Sequence, residues 1–317
     1  MKAMRAAPRH SAGIASIIVG GTDPKFLQDF LASRFSLTRR GAKAVIDGRN
    51  IWVNRKCVWI ARYSLNTGDV VEVPTAVIKA AQNQGRGNRE EGRGNREEGR
   101  PSNHQTIKPS NHIRILWQND NYLVCDKPSG VVSCDGERSV EAILREQERL
   151  PGLEAVHRLD RDTTGCLMFA KSHAAKEAAI ETFRTRKVSK TYHAIVAGKF
   201  KYAKTRIETP IDGEHAVSDV SREATGDDAS FLRVKIETGR TNQIRRHLSS
   251  IRAPIIGDRV FGLKSVRDRR LMEVPRQMLH ASSLELPDPM SRGAFIKAHS
   301  PLPADFRAAL RLFGMGK

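Results

Sequence analysis

Residues 85–91 read Gly-Arg-Gly-Asn-Arg-Glu-Glu and recur unchanged at 92–98, and Pro-Ser-Asn-His occurs at both 101–104 and 109–112. This stretch has almost no apolar side chains and cannot contribute to a hydrophobic core. A chain carrying it must fold as separate pieces on either side. Its four glutamates nearly neutralise its arginines, which favours a flexible linker over an arginine-glycine tract that grips RNA. The expected organisation is a flexible arm at 1–22, a small domain at 23–80, the linker at 81–112 and a larger domain at 113–317.

Both pieces are rich enough to bury cores: 39% of the 317 residues are hydrophobic and 28% charged, as in soluble globular proteins. A formal charge of +19 calls for a polyanionic partner, nucleic acid before membrane. The charge is uneven, with 13 Lys/Arg against 5 Asp/Glu in residues 1–80, so the small domain reads as a binding module. Cys57, Cys125, Cys134 and Cys166 show no Cys-x-x-Cys spacing, which argues against zinc and for free thiols in a reducing cytoplasm. No run approaches the ~20 apolar residues of a membrane span. The short apolar run Ile14–Val19 is too brief for a signal peptide. A glycine-rich phosphate loop is absent, which disfavours a nucleotide cofactor.

In the small domain, Asp23-Pro24 predicts a helix start, with Phe26, Leu27, Phe30 and Leu31 at helical spacing. A second helix is predicted from near Ser36 to before Gly48, with Leu37, Ala44 and Val45 inward and Arg39, Arg40 and Lys43 outward. Short strands follow at Ile51–Val53, Cys57–Ile60 and Asp69–Val73. The pattern Leu-Thr-Arg-Arg-Gly-Ala…Ile-Asp-Gly-Arg…Val-Asn…Gly-Asp-Val-Val-Glu-Val resembles the S-four-like, or alpha-L, RNA-binding domain across roughly 24–75. That resemblance implies that Arg39, Arg40 and Lys43 contact RNA backbone, mainly at phosphates.

After the linker, Ile113-x-Ile115-x-Trp117, Tyr122–Cys125, Ser230–Ile236 and Leu279–Leu286 read as strands, and Val140–Arg149, Ala174–Arg184 and Ala304–Phe313 as helices. Irregularly spaced strands with few helices predict an α+β domain on a mainly antiparallel mixed sheet with flanking helices, rather than repeated βαβ units.

The run His157-Arg158-Leu159-Asp160-Arg161-Asp162-Thr163-Thr164-Gly165 sets a carboxylate between two arginines just before an apolar strand. Taken alone, Asp160 reads as a turn cap or a partner of Arg158. Three further runs occur in order: Lys127-Pro128-Ser129-Gly130, Lys190-Thr191-Tyr192-His193-Ala194, and Gly239-Arg240-Thr241-Asn242-Gln243-Ile244-Arg245, followed by Pro254-Ile255-Ile256-Gly257-Asp258. Together they resemble the RluA family of pseudouridine synthases over about 113–315.

The resemblance implies a pseudouridine-synthase domain with three catalytic residues. Asp160 is the catalytic acid, Arg245 forms a forked pair that keeps it charged, and Tyr192 packs on the target uracil. Arg158 is expected to hold the flipped nucleotide or its phosphates. Lys127 is assigned either to RNA or to a structural turn, and His157 and His280 to structural hydrogen bonds. Two positions depart from the family pattern, which commonly has His at 242 and Ser at 164. Asn242 cannot shuttle a proton. No metal and no cofactor are expected, and the protein is expected to act as a monomer in the cytoplasm. The implied substrate is RNA, large-subunit ribosomal RNA first and transfer RNA second. The alternative is a catalytically inactive RNA-binding or ribosome-assembly factor that keeps the fold.

Overall fold

The computed structural model describes residues 9–11, 13–48, 51–58, 60–86, 112–263, 268 and 270–316. Residues 87–111, most of the repeated part of the linker, lie outside the described residues. The chain divides into two compact units, the N-terminal one joined by the segment Leu263–Glu273.

The N-terminal unit comprises β1 (Arg9–Ser11), β2 (Ile14–Ile18), α1 (Leu27–Arg34), α2 (Arg39–Asp47), β3 (Trp52–Val53), β4 (Lys56–Cys57), β5 (Val70–Pro74) and α3 (Thr75–Arg86). Its strands pair antiparallel in the order β1-β2-β5-β3-β4. Residues expected in a flexible arm therefore supply a strand: Ile14–Ile18 pairs with β5, and Ile14 and Ala15 are buried. That apolar run, too short for a signal peptide, is long enough to complete a sheet. The predicted start at Asp23 is also displaced. Helix α1 begins at Leu27, while Asp23 accepts a hydrogen bond from the Gly20 amide and pairs with Arg34. Thr38 caps α2 by accepting from the Gly41 amide. The buried face of α2 is Ala42, Val45 and Ile46, with Leu37 beside it, while Ala44 faces outward. Helix α3 runs past the expected boundary at residue 80.

The larger unit is built on β6 (Ile115–Gln118), β7 (Tyr122–Lys127), α4 (Val140–Gln147), β8 (Glu154–Ala155), β9 (Thr164–Ala170), α5 (His173–Arg184), β10 (Ser189–Ala197), β11 (Lys204–Ile207), β12 (Ser218–Thr225), β13 (Ala229–Ile236) and α6 (Gln243–Ser250). After the short α7 (Arg270–Glu273) of the first unit come β14 (Leu279–Pro287), β15 (Phe295–His299) and α8 (Ala304–Leu312). The sheet order is β11-β12-β13-β10-β14-β9-β7-β6, with β15 on β14 and β8 on β9. Its ladders are antiparallel except β9 with β14, which run parallel at Thr164–His280 and Gly165–Ala281. This is the mixed, mainly antiparallel sheet that the sequence predicts.

Every residue of β9 is buried, as expected for a strand covered on both faces. By contrast β13 alternates along its second half, with Arg233 and Lys235 outward and Leu232, Val234 and Ile236 inward. Tyr122, Val124, Cys166, Met168, Leu284 and Ile296 form the centre of one core, into which α5 packs Ala175 and Ala179. Cys125 and Cys166 are buried free thiols. No described helix is long and apolar enough to cross a membrane.

Candidate active site

The segment from His157 to Thr163 leads into β9 and is held mainly through its backbone. Ser133 Oγ donates to the Leu159 carbonyl and accepts from the Leu159 amide, both at 2.9 Å. Lys127 Nζ donates to the carbonyls of Pro128, Arg161 and Thr163 at 2.9, 2.7 and 3.0 Å. The Thr163 amide closes the turn on the Asp160 carbonyl. From the far side Arg276 Nη1 donates to the Asp162 carbonyl, and Gln277 Nε2 to Thr163 Oγ1. Arg276 is itself fixed by a forked pair with Asp305, at 2.7 and 3.0 Å.

Gly165 ends the loop at φ +108°, where a Cβ would overlap the Ala281 carbonyl, so only glycine allows the close parallel approach of β14. These contacts correct the RNA-binding expectation for Lys127. It is fully buried and its ammonium is saturated by carbonyls, so it cannot reach RNA. Burial pulls its pKa down to about 8, against the opposing pull of Asp162.

Helix α6 supplies Arg245, and its start is fixed by Gln243. The Gln243 Oε1 accepts from Thr238 Oγ1 and the Arg240 amide, while its Nε2 donates to the Val217 carbonyl and Ser218 Oγ. Asn242, in the left-handed region at φ 54°, precedes it. Arg245 then makes four hydrogen bonds. Nη1 donates to Asp160 Oδ2 at 2.9 Å and to Asn242 Oδ1 at 2.6 Å, and the fork of Nε and Nη2 grips Asp258 at 2.6 and 2.9 Å. The Arg245 guanidinium also lies over the Phe261 ring, 5.0 Å from its centre.

The arginine expected beside Asp160 is therefore there, but its forked partner is Asp258. That carboxylate is completely buried and also accepts from the amides of Val260 and Phe261. Burial opposes the charge on Arg245, yet its bonds to Asp258 and Asp160 outweigh burial and raise its pKa.

Asp160 is left with one oxygen engaged. Its side chain is 29% exposed, and Oδ1 accepts no hydrogen bond from any described residue. Tyr192 lies close enough for the Asp160 charge to act on it. Burial first, and Asp160 second, raise the Tyr192 pKa, so its phenol stays protonated. The register of β10 against β14 slips between Thr191 and Tyr192, and the extra residue, Ser282, donates to the Thr191 carbonyl. Such a bulge re-aims a side chain next to a site.

Arg158 is exposed and makes no ion pair with a described residue. His157 Nε2 accepts from the Met168 amide, and its ring stacks on Phe183 at 5.2 Å. Burial, followed by Lys190, pushes its pKa down to about 3. His280 spans Thr164 Oγ1 and the Ser300 carbonyl, at 2.9 and 3.0 Å. Both histidines are structural hydrogen-bonders, as expected. The described residues contain no cluster of three His, Cys, Asp or Glu able to hold a metal.

In the N-terminal unit Arg39 pairs with Asp29 and Lys43 with Asp47, both at exposed positions where ion pairs are weak. Arg40 is exposed beside them. Sequence reasoning missed Ser133, Asp258, Arg276 and Gln277. Of these only Asp258 carried a signal, as the last residue of the Pro254–Asp258 run.

A family model described as RNA pseudouridylate synthase matches residues 121–250, and the S4 domain model matches 27–71. The chain is 36% identical over 231 residues to the ribosomal large subunit pseudouridine synthase D of Pseudomonas aeruginosa, covering 63% of this chain and 71% of that protein. With the ribosomal large subunit pseudouridine synthase C of Vibrio cholerae the identity is 30% over 283 residues, covering 81% and 83%. In structure it is similar to human RNA pseudouridylate synthase domain containing 1, with a TM-score of 0.54 and 25% identity over 63% of this chain and 88% of that one.

Proposed function

The chain belongs to the RluA family of RNA pseudouridylate synthases, and on that premise we propose that it isomerises uridines of large-subunit ribosomal RNA through the Asp160 carboxylate, without a cofactor. The observation that carries this reading is the asymmetry at Asp160. One carboxylate oxygen is anchored on Arg245, and the other is open beside Tyr192.

The reaction breaks the bond between ribose and uracil N1, turns the base and joins the same ribose carbon to uracil carbon 5. One proton leaves carbon 5 and one is gained at N1. Substrate and product are isomers, so electrons balance without an oxidant or reductant. What the step needs is an anion able to attack the ribose carbon or to balance its positive charge, held where water does not neutralise it. Arg245, charged at any working pH, supplies the fixed counter-charge. Its own orientation is set by Asp258 rather than by Asp160, so it holds still while Asp160 reacts. Tyr192, buried and kept as a phenol, is the aromatic assigned to an extruded uracil, a contact worth ~1–3 kcal/mol per base. Arg158, exposed one residue before Leu159, is positioned to meet the displaced strand. In the N-terminal unit Arg39, Arg40 and Lys43 form a separate basic face for RNA backbone. The names of the relatives support large-subunit ribosomal RNA as the substrate.

The test is a pseudouridine map of ribosomal and transfer RNA from cells that make the wild-type protein or Asp160→Asn. Loss of one or more large-subunit positions with the variant is the expected result. Loss confined to transfer RNA overturns the substrate. An unchanged map overturns the catalytic assignment and leaves the RNA-binding or assembly role.

A further inference from the structure

Lys190 is a cation that the site as described does not use. It lies on β10, two residues before Tyr192, and is half-buried. Its Nζ stands over the Phe183 ring, 5.7 Å from the centre. On another side it faces Gly239, where a Cβ would come within 3.6 Å of the nitrogen. It acts electrostatically on His157. Lys190 therefore sits where three segments meet: the start of the loop that carries Asp160, the start of the loop that leads to Arg245, and the strand that carries Tyr192.

No carboxylate among the described residues pairs with it. Burial alone, with no compensating acid, draws its pKa down to about 8. A half-buried ammonium without a counter-ion is partly stripped of water and open to an anion brought by a ligand, and a perturbed group of this kind beside a site is a candidate for function. Ring contacts of this kind offset only part of that cost. Lys127 makes the contrast plain: fully buried, it is saturated by three carbonyls and serves the loop.

We propose that Lys190 is a phosphate-binding residue of the catalytic cleft, holding a backbone phosphodiester of the RNA next to the nucleotide turned towards Asp160. This rests on the function proposed above for the cleft, and it adds a residue to which no role has been given. A phosphate at this point would neutralise the ammonium and tie together the three segments around it. The anion is a phosphodiester because the surrounding groups offer one localised charge and no base-reading pattern.

The experiment combines Lys190→Met and Lys190→Arg, each in the Asp160→Asn background so that no turnover occurs. Binding to an in vitro transcript of large-subunit ribosomal RNA is measured across a potassium chloride series, alongside thermal unfolding of the protein alone. Lys190→Met removes one phosphate contact, so affinity should fall roughly tenfold and the log–log salt slope should shrink by about one. Lys190→Arg should restore most of both. Thermal unfolding of Lys190→Met should occur at the same or a higher temperature than the parent, because a half-buried charge has been removed.

A structural lysine gives the reverse: lower thermal stability with an unchanged salt slope, and either of those results overturns the proposal. The binding readout does not depend on catalysis. If wild-type protein makes no pseudouridine while Lys190→Met still loses a phosphate contact, the function fails and the site stands. If wild-type modifies RNA while affinity and slope ignore Lys190, only the site fails.

Discussion

Two aspartates touch Arg245, and they differ in kind. Asp258 is completely buried, accepts from both ends of the guanidinium fork and from two backbone amides, and has no capacity left for a substrate. Asp160 gives Arg245 one oxygen and keeps the other free of described partners. On the function proposed above, stability and chemistry are divided between two carboxylates that sequence inspection does not rank. Removing one partner of a buried pair leaves an uncompensated charge and costs about 3–5 kcal/mol. Asp258→Ala should therefore lower the urea midpoint strongly, whereas Asp160→Asn, at a part-exposed position, should scarcely move it while abolishing modification. Equal midpoints for the two variants would contradict this division. Asn242 belongs to the same unit: its Oδ1 accepts from the Nη1 that also reaches Asp160, so the position keeps a geometric role without a proton to transfer.

At the scale of elements, the loop from His157 to Thr163 is shaped by groups that grip its carbonyls and amides. Lys127 does this from the end of β7, Ser133 from the following turn, and Arg276 and Gln277 from just before β14. Hydrogen bonds to charged groups contribute about 1.5–3 kcal/mol each. Lys127→Met, which keeps the length but not the donors, should destabilise the larger unit by roughly 3 kcal/mol. RNA affinity of the folded fraction should stay unchanged, because the ammonium never meets solvent; a reduced salt slope would restore the RNA contact. These clamps also mark where sequence reading stops. The contact of Asp160 with Arg245 was legible because both stand in ordered runs, and β9 and β13 were legible because their apolar patterns are strong. Partners of backbone carbonyls leave no pattern, since any carbonyl serves, and nothing in Val274-Pro275-Arg276-Gln277 indicates which loop it will hold. Helix α1 was misplaced because Asp23 and Pro24 make a good local start, but Asp23 is drawn instead to Gly20 and Arg34.

For the molecule as a whole, half-buried and buried histidines contribute to the response to acid. Burial pushes the pKa of His157 down to about 3 and that of His193 to about 4, and it lowers His247 and His280 as well. Each is a base whose folded value lies below its ordinary 6.5, so between those values the unfolded chain binds more protons. Stability is then complete above about pH 6.5 and falls as pH drops towards 4. Urea midpoints at pH 7.5 and 4.5 should differ accordingly. His157→Gln, which can still accept from the Met168 amide, should flatten part of the slope. An identical slope in the variant would remove His157 from the account. The parallel seam between β9 and β14 has a further consequence, one of timing. Gly165 lies tight against Ala281, and the far clamp on the loop comes from Arg276 and Gln277, more than a hundred residues downstream. A chain emerging from the ribosome carries Asp160 and the near clamps Lys127 and Ser133 before the far clamps Arg276 and Gln277 exist. Non-local pairings of this kind close late. The loop therefore takes its final shape only after β14 has been made and paired with β9.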